Sequence, residues 1–355
     1  WLGSAADDST ARVWDLSTNP PTSIVLQHPY RVGNIRFSAD STRVATLALD
    51  RAIRVWDRAT GRLLGTYASE SLDPFMLMFT PDGGSVAGLE SDGTLRLWDV
   101  RSEGAPVMRG HKSIVSNACW SSAELGVIVS SSWEGADGSP GIVRVWDADT
   151  GDEIAMHPGR QGDIVYAMAL SSDGQRAAIG ITNRDAMLEA RASGRDVPRG
   201  RMELLNLATG RVVTTPPMNH EVRWVSFADD GRSIIAAGGN LQAGFQINTF
   251  DSTTGALTRT RALDPKCSWT FGIAPDRRTV AALPRATDDS TRRTNRARSM
   301  LMLDVRTLES VREIDGMPEN QACIAFNSAG TRFATGGDDG KLRLFDATTG
   351  ALISE

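Results

Sequence analysis

The stretch RAIRVWDRATG (51–61) returns along the chain as TARVWDLSTN (10–19), TLRLWDVRSEG (94–104), IVRVWDADTG (142–151) and KLRLFDATTG (341–350). Each copy is a short alternating strand that ends on Trp-Asp or Phe-Asp and runs into a turn. Taking the aromatic position as a marker gives Trp14, Trp56, Trp98 and Trp146, then the degenerate positions Leu205, Phe250 and Leu303, and finally Phe345. The spacings are 42, 42, 48, 59, 45, 53 and 42 residues. A base unit of that length holds four short strands with their turns, so the recurrence constrains the fold more than any single motif does.

Residues 33–57, GNIRFSADSTRVATLALDRAIRVWD, show the unit. One strand ends at Phe37, a polar turn follows at Ser38 to Ser41, a small-residue strand runs around Val44 to Leu47, and a turn at Asp50 leads to the strand ending in Trp56. Equivalent turns are TPDG (80–83), SSDG (171–174), ADDG (228–231) and APDR (274–277). Period-two alternation between turn residues predicts antiparallel strands, and no segment shows a helical period. A lone meander would leave one apolar face wet, so the units must stack side by side, and radial stacking shelters their edges. The composition agrees: 41% hydrophobic residues, 23% charged residues and 34 glycines suit many short strands joined by turns.

These motifs resemble the WD40-repeat beta-propeller family over essentially the whole chain. The expected fold is all-β, with blades of four antiparallel strands. The resemblance implies a hydrogen-bonded tetrad in each blade: a His near the start of the first strand, a Ser or Thr in the second, an Asp in the next turn and the Trp of the third. The best match is His28, Thr46, Asp50 and Trp56, a structural network. Other units keep parts of it: Ser4, Asp8 and Trp14; Asp92 and Trp98; His111 and Trp146; Thr335 and Asp339, where Phe345 removes the indole donor. Where Leu205, Phe250 and Leu303 replace Trp, apolar packing is expected to take over from the polar network.

Seven full units can be laid out from about residue 30 to 355, while residues 1–27 supply a second, a third and a fourth strand only. The expectation is one propeller domain over 1–355, part of a longer chain, with eight blades favoured and the first incomplete. Sevenfold closure with a spare segment, and a piece cut from a longer repeat array, remain open.

Three long insertions depart from the period: SSWEGADGSPG (131–141), TNRDAMLEARASGRDVPRGR (182–201) and PRATDDSTRRTNRAR (284–298). All lie between second and third strands, which places them on one face, and loops on a rigid scaffold commonly carry recognition. The second insertion holds Arg184, Arg191, Arg195, Arg199 and Arg201, and the third holds Arg285, Arg292, Arg293, Arg296 and Arg298. Guanidinium forks suit carboxylate or phosphate groups, so an acidic protein or peptide is one expected partner; a merely solvated mixed-charge loop is a second reading, and a phosphorylated or nucleic-acid ligand the least favoured third. Trp133, beside Glu134, is either an aromatic anchor for a partner or packed on its own loop.

Little points to chemistry. The net charge of −5 provides no overall field for nucleic acid or an anionic membrane, and no apolar run approaches the length of a membrane helix. Three cysteines, Cys119, Cys267 and Cys323, form no metal or disulfide pattern, which favours a reducing, cytoplasmic location. The four histidines, His28, His111, His157 and His220, are spread over different units, so no metal centre is expected. Phosphate-loop, zinc-protease and calcium-loop motifs are absent, and at the channel end of the first strands Asn34, Asn117 and Asp163 are the polar exceptions. The expected function is a non-catalytic interaction or sensor scaffold, without cofactor, that recognises a protein or peptide through the insertion-bearing face. The resemblance implies scaffold or recognition roles, often beside kinase, ATPase or signalling domains. A purely architectural module in an assembly is the alternative, and a propeller enzyme is the remote one.

Overall fold

The strand Ala52–Asp57 shows how the repeated motif becomes a blade. Its side chains alternate between the two sheet faces, so Ile53 and Val55 point one way and Trp56 the other. Ile53 and Val55 join Leu77, Phe79 and Trp98 of the next sheet, whereas Trp56 joins Ala11, Val13 and Leu26 of the preceding one. A strand buried on both faces holds its neighbours together, and the motif repeats because each blade needs the same two-sided seat.

The computed structural model describes residues 1–18, 20–68, 74–90, 94–100, 107–109, 111, 115–120, 126–132, 140–148, 150–195, 197–228, 231–240, 244–263, 267–286, 298–317, 321–337 and 339–355. Among them the strands form eight antiparallel sheets, each a meander in chain order. The fold is an all-β, eight-bladed propeller rather than a seven-bladed one. Two compact units divide the chain, Trp1–Gly162 and Asp163–Glu355. The first contains blade 1 (Leu2–Gln27, three strands), blade 2 (Val32–Ala68), blade 3 (Pro74–Arg109) and blade 4 (Val115–Pro158). The second contains blade 5 (Asp163–Thr214), blade 6 (Trp224–Leu263), blade 7 (Cys267–Met317) and blade 8 (Gln321–Ser354), each four-stranded.

Within each unit the core is a series of inter-blade layers. Blades 1 and 2, 2 and 3, and 3 and 4 share one layer each in the first unit. Blades 5 and 6, 6 and 7, and 7 and 8 do so in the second. The degenerate marker positions keep their place in these layers: Phe250 packs with blade 5, Leu303 with blade 6 and Phe345 with blade 7. In blade 8 the missing indole is replaced by ring stacking, Phe345 lying 4.9 Å from Phe333 with nearly parallel planes.

The turn after the marker is built by its aspartate. Asp57 Oδ1 accepts the backbone N–H of Thr60 at 2.8 Å and its hydroxyl at 2.6 Å, and Gly61 closes the turn with φ of 69°. The same construction recurs at Asp251 with Gly255 and at Asp346 with Gly350. Blade 7 repeats it with Leu308 forced into the left-handed region, φ 57°, where a glycine serves elsewhere. Its side chain is buried in the layer shared with blade 6, and that packing opposes the backbone strain.

One element departs from the all-strand expectation. The insertion of blade 5 contains a helix, α1, at Arg184–Ser193.

Candidate functional site

In a meander the second-to-third turns share a face with the links from one blade to the next, and α1 stands on that face of blade 5. It follows directly from the second strand Arg176–Asn183. Asn183 has extended φ and ψ, and its Oδ1 accepts the Ala186 N–H at 3.0 Å, which caps the first turn. Asp185 lies in that turn and Arg191 in the last, each favourable to the helix dipole. Gly194, with φ of 65°, ends the helix and donates its N–H to Ala190 O at 3.0 Å. No residue of α1 is buried, so caps and tethered ends, not a core, fix a helix too short to persist alone.

Arg184, Leu188 and Arg191 fall at i, i+4 and i+7 and share one helix face. Leu188 is 51% exposed, and the Arg191 side chain is 52% exposed. Arg184 lies 3.4 Å from Asp185. Arg195, just beyond the cap, is exposed.

The chain leaving blade 5 lies against the root of this insertion. The fourth strand covers only Val212–Thr214, after which Met218 N–H donates to Gly200 O at 2.7 Å and accepts at its own carbonyl from Gly200 at 3.0 Å and Arg199 at 2.9 Å. Val222 N–H donates to Thr182 Oγ1 at 3.1 Å. Two glycines make the approach possible: a Cβ on Gly200 would stand 2.1 Å from His220 O, and one on Gly238 would stand 1.8 Å from Glu221 O.

Charge is concentrated along this link. The Glu221 side chain is 0% exposed; Arg223 donates to its Oε2 from Nη2 at 2.5 Å and from Nε at 3.0 Å, and Arg191 of α1 reaches Oε1 at 3.6 Å. Behind it, Arg201 holds Asp163 through Nη1 at 2.8 Å and through Nη2, and holds Glu203 Oε1 through Nε at 3.0 Å. Burial alone would lower the Arg201 pKa, but the hydrogen bonds and charges of Asp163 and Glu203 outweigh it and raise it. Arg201 is therefore committed within the blade. Arg199 is buried too, and its Nη1 donates to Val197 O at 3.1 Å.

His220 makes a network that the sequence motif does not signal. Its Nδ1 lies 2.9 Å from Glu221 O, an acceptor only, so Nδ1 carries the proton and Nε2 accepts from Asn248 Nδ2 at 2.6 Å. Thr260 then donates to Asn248 Oδ1 at 2.7 Å. Burial, aided by the Arg199 charge, pushes the His220 pKa down and keeps the ring neutral. Blade 6 thus buries Phe250 in apolar packing and also retains a polar network two residues earlier.

The marker network of blade 2 forms by the same logic. His28 Nδ1 is 2.9 Å from Leu26 O and must be the protonated nitrogen. Its Nε2, 2.8 Å from Thr46 Oγ1, accepts the hydroxyl proton, and Trp56 Nε1 donates to that oxygen at 2.8 Å. Burial pushes the His28 pKa down, consistent with this neutral chain. Asp50 belongs elsewhere: Arg54 donates to both its oxygens, at 3.1 and 2.5 Å, because a fixed guanidinium charge outcompetes a neutral imidazole for a carboxylate. Blade 8 repeats the pair as Arg343 on Asp339 at 2.6 Å. In blade 4, Trp146 Nε1 donates to Ser130 Oγ at 2.7 Å, and His111 Nε2 lies 2.8 Å from the same oxygen. Blade 1 pairs Trp14 Nε1 with Ser4 Oγ at 2.9 Å. A family model described as WD domain, G-beta repeat, matches residues 20–57 and 309–346, the blades with Trp56 and Phe345. The chain carries WD40 repeats, set in an eight-bladed propeller. Among solved structures it is similar to the computationally designed Ika8 protein, at 20% identity and a TM-score of 0.66, over 91% of this chain and 86% of that one. No curated protein matches it.

The remaining candidates of this WD40 chain separate by location. Trp133, Glu134, Arg292, Arg293 and Arg296 lie outside the described residues. Arg285 and Arg298 are placed by their backbones at the root of the blade 7 insertion, opposite Ser268 and Met317. Asp163, a possible channel acid, is the partner of Arg201. Among the described residues no group of three or more His, Cys, Asp or Glu could hold a metal ion. Burial pushes the Cys119 thiol up to about 12, and it stays protonated at neutral pH. Within the second unit, a hollow of about 440 Å³ bounded by Leu170, Pro275 and Phe326 has Arg277 as its charged lining residue and no acid or imidazole in its wall. No helix among the described residues is long and apolar enough to cross a membrane.

Proposed function

We propose that this WD40 propeller is a non-catalytic scaffold that recognises an acidic protein segment through the face carrying α1. The observation that carries the reading is the capped helix itself, which presents Arg184, Leu188 and Arg191 on one side while burying none of its residues. A helix fixed by its caps, with none of its residues buried, has no core-packing role that would explain its apolar and basic stripe. Arg223, 53% exposed on the adjoining link, extends the basic surface. Complementary charge there would steer an acidic segment to the site, and Leu188 would add a small apolar contact.

The test is fluorescence anisotropy with a labelled hexaglutamate peptide and a hexalysine control. The double variant Arg184→Glu/Arg191→Glu should weaken hexaglutamate binding by roughly tenfold or more, with a reduced salt dependence. Equal binding by the two chains, or no preference over hexalysine, overturns the reading.

A second reading, an architectural module joined through blade edges, is favoured by exposed apolar side chains on outer strands: Leu63 and Leu64, Ile154 and Met156, Leu257 and Val311. Charge reversal on α1 would leave such assembly intact.

A further inference from the structure

Two arginines are buried among the described residues, Arg343 at 6% exposure and Arg199 at 5%. Arg343 has the partners a buried cation requires, Asp339 Oδ2 at 2.6 Å and Glu355 Oε2 at 3.3 Å. Arg199 has no carboxylate within ion-pair distance among the described residues. Its single side-chain hydrogen bond runs from Nη1 to Val197 O, and its buried Nε has no partner.

A guanidinium does not shed its charge at any physiological pH, so burial cannot neutralise it as it neutralises a histidine. An uncompensated cation in this position is unfavourable unless an anion joins it. Among the described residues, the acids of the neighbourhood are already engaged. Glu221 is held by Arg223 and approached by Arg191, while Asp163 and Glu203 are held by Arg201. His220, whose pKa the Arg199 charge helps to lower, spends both ring nitrogens on Glu221 O and Asn248.

The free side of Arg199 has a defined chemistry. Nη1 is occupied, which leaves Nε and Nη2, the pair of parallel donors that meets the two oxygens of a carboxylate. The residue is fixed in place, since its N–H donates to Met218 O at 2.9 Å and its carbonyl accepts from Asn183 at 2.7 Å. Asn183 is also the cap of α1, so the basic helix and the buried arginine share one anchor point.

We propose that Arg199 is the anchor for one oxyanion group, a carboxylate side chain of the bound segment, with Arg191 and Arg223 meeting the acids beside it. This rests on the acidic-segment reading above and makes it more specific: affinity depends on a single inserted carboxylate as well as on diffuse attraction to α1.

The experiment follows thermal unfolding of the whole chain with hexaglutamate or with inorganic phosphate, at ionic strength fixed with sodium chloride. Wild type is compared with Arg199→Met, Arg199→Lys and Arg184→Glu/Arg191→Glu. Without ligand, Arg199→Met is expected to melt at or above the wild-type temperature, since it loses an unmatched charge and keeps the side-chain length. Both ligands should stabilise wild type, and their affinity for Arg199→Met and for Arg199→Lys, which lacks the fork, should fall roughly tenfold or more. If Arg199→Met melts lower and responds to ligand as wild type does, Arg199 is structural and the proposal is overturned. If neither ligand stabilises wild type, the anchor is overturned as well. Stabilisation by phosphate alone, lost in Arg199→Met, keeps the anchor and defeats the acidic-segment reading. Hexaglutamate binding weakened by the α1 reversal but not by Arg199→Met does the converse.

Discussion

Blade 2 and blade 5 tie down the same strand position with opposite charges. Arg54, two residues before Trp56, reaches back to Asp50 in its own tight turn. At the matching position, two residues before Leu205, blade 5 has Glu203, and the arginine is displaced to Arg201. The reason lies in the turn. Blade 5 has exchanged it for α1, and the acid that Arg201 meets comes from Asp163 on the first strand. An insertion on a propeller face thus rewires the sheet beneath it, and the cost is a more buried ion group.

The sharpest way to break that comparison is to remove the arginine of blade 5. Arg201→Met leaves Asp163 and Glu203 buried without their cation and should cost about 3–5 kcal/mol, read as a fall in the urea midpoint. A loss below about 1 kcal/mol would mean that the triad is solvated and that the two blades do not differ in this way.

Acid should act next, through the polar chains under the marker positions. Burial, with a contribution from Arg144, pushes His111 down to about 3. The unfolded chain binds a proton there below about 6.5 that the folded chain refuses, so stability is full above 6.5 and declines as pH falls. At about 1.4 kcal/mol per pH unit, this one group accounts for about 3 kcal/mol between pH 6.5 and 4. Denaturation midpoints across that window should be flatter for His111→Gln; identical slopes would remove the neutral-histidine account.

A smaller effect separates two hydroxyls in matching positions. Thr46 Oγ1 links Trp56 to His28, whereas Thr335 Oγ1 is buried without a partner because Phe345 supplies no donor. Thr46→Val should destabilise by about 1–3 kcal/mol, and Thr335→Val should be neutral or stabilising. Similar losses at both sites would count against the chain of donors assigned in blade 2. Smallest of all, Arg191→Ala should change stability by less than about 0.5 kcal/mol, because its 3.6 Å contact is long and Arg223 still holds Glu221. A larger loss in thermal melts would recast Arg191 as a brace for α1 rather than a contact residue.

The blades were legible because the RVWD strand must be apolar on both faces and its turn needs an aspartate, and both demands leave marks at fixed spacing. The eighth sheet followed from the same count. Helix α1 was not, since a helix that buries nothing has no apolar period to detect; its signals were local, Asn183 before Asp185, strong helix formers, then Gly194. The Arg54–Asp50 pair is not what the resemblance implies, which places Asp50 in a network with His28, Thr46 and Trp56. The four-residue spacing from Asp50 to Arg54, repeated from Asp339 to Arg343, was present to be read as a pair across a tight turn. The position of Arg199 depends on the Met218 link folding back over it, a long-range path that no local pattern encodes.

Gly200 and Gly238 separate what can vary on this face from what cannot. Side chains such as Arg184 and Leu188 stand exposed on α1 and can be exchanged without moving the backbone, so the binding preference proposed for this face is open to change one residue at a time. The track of the link is not: any side chain on either glycine would collide with the His220 or Glu221 carbonyl. Transplanting residues 215–223 onto another blade would therefore fail unless both glycines travelled with them, one from each side of the seam. The face proposed above for recognition is a two-blade cassette, and evolution or design must move it whole.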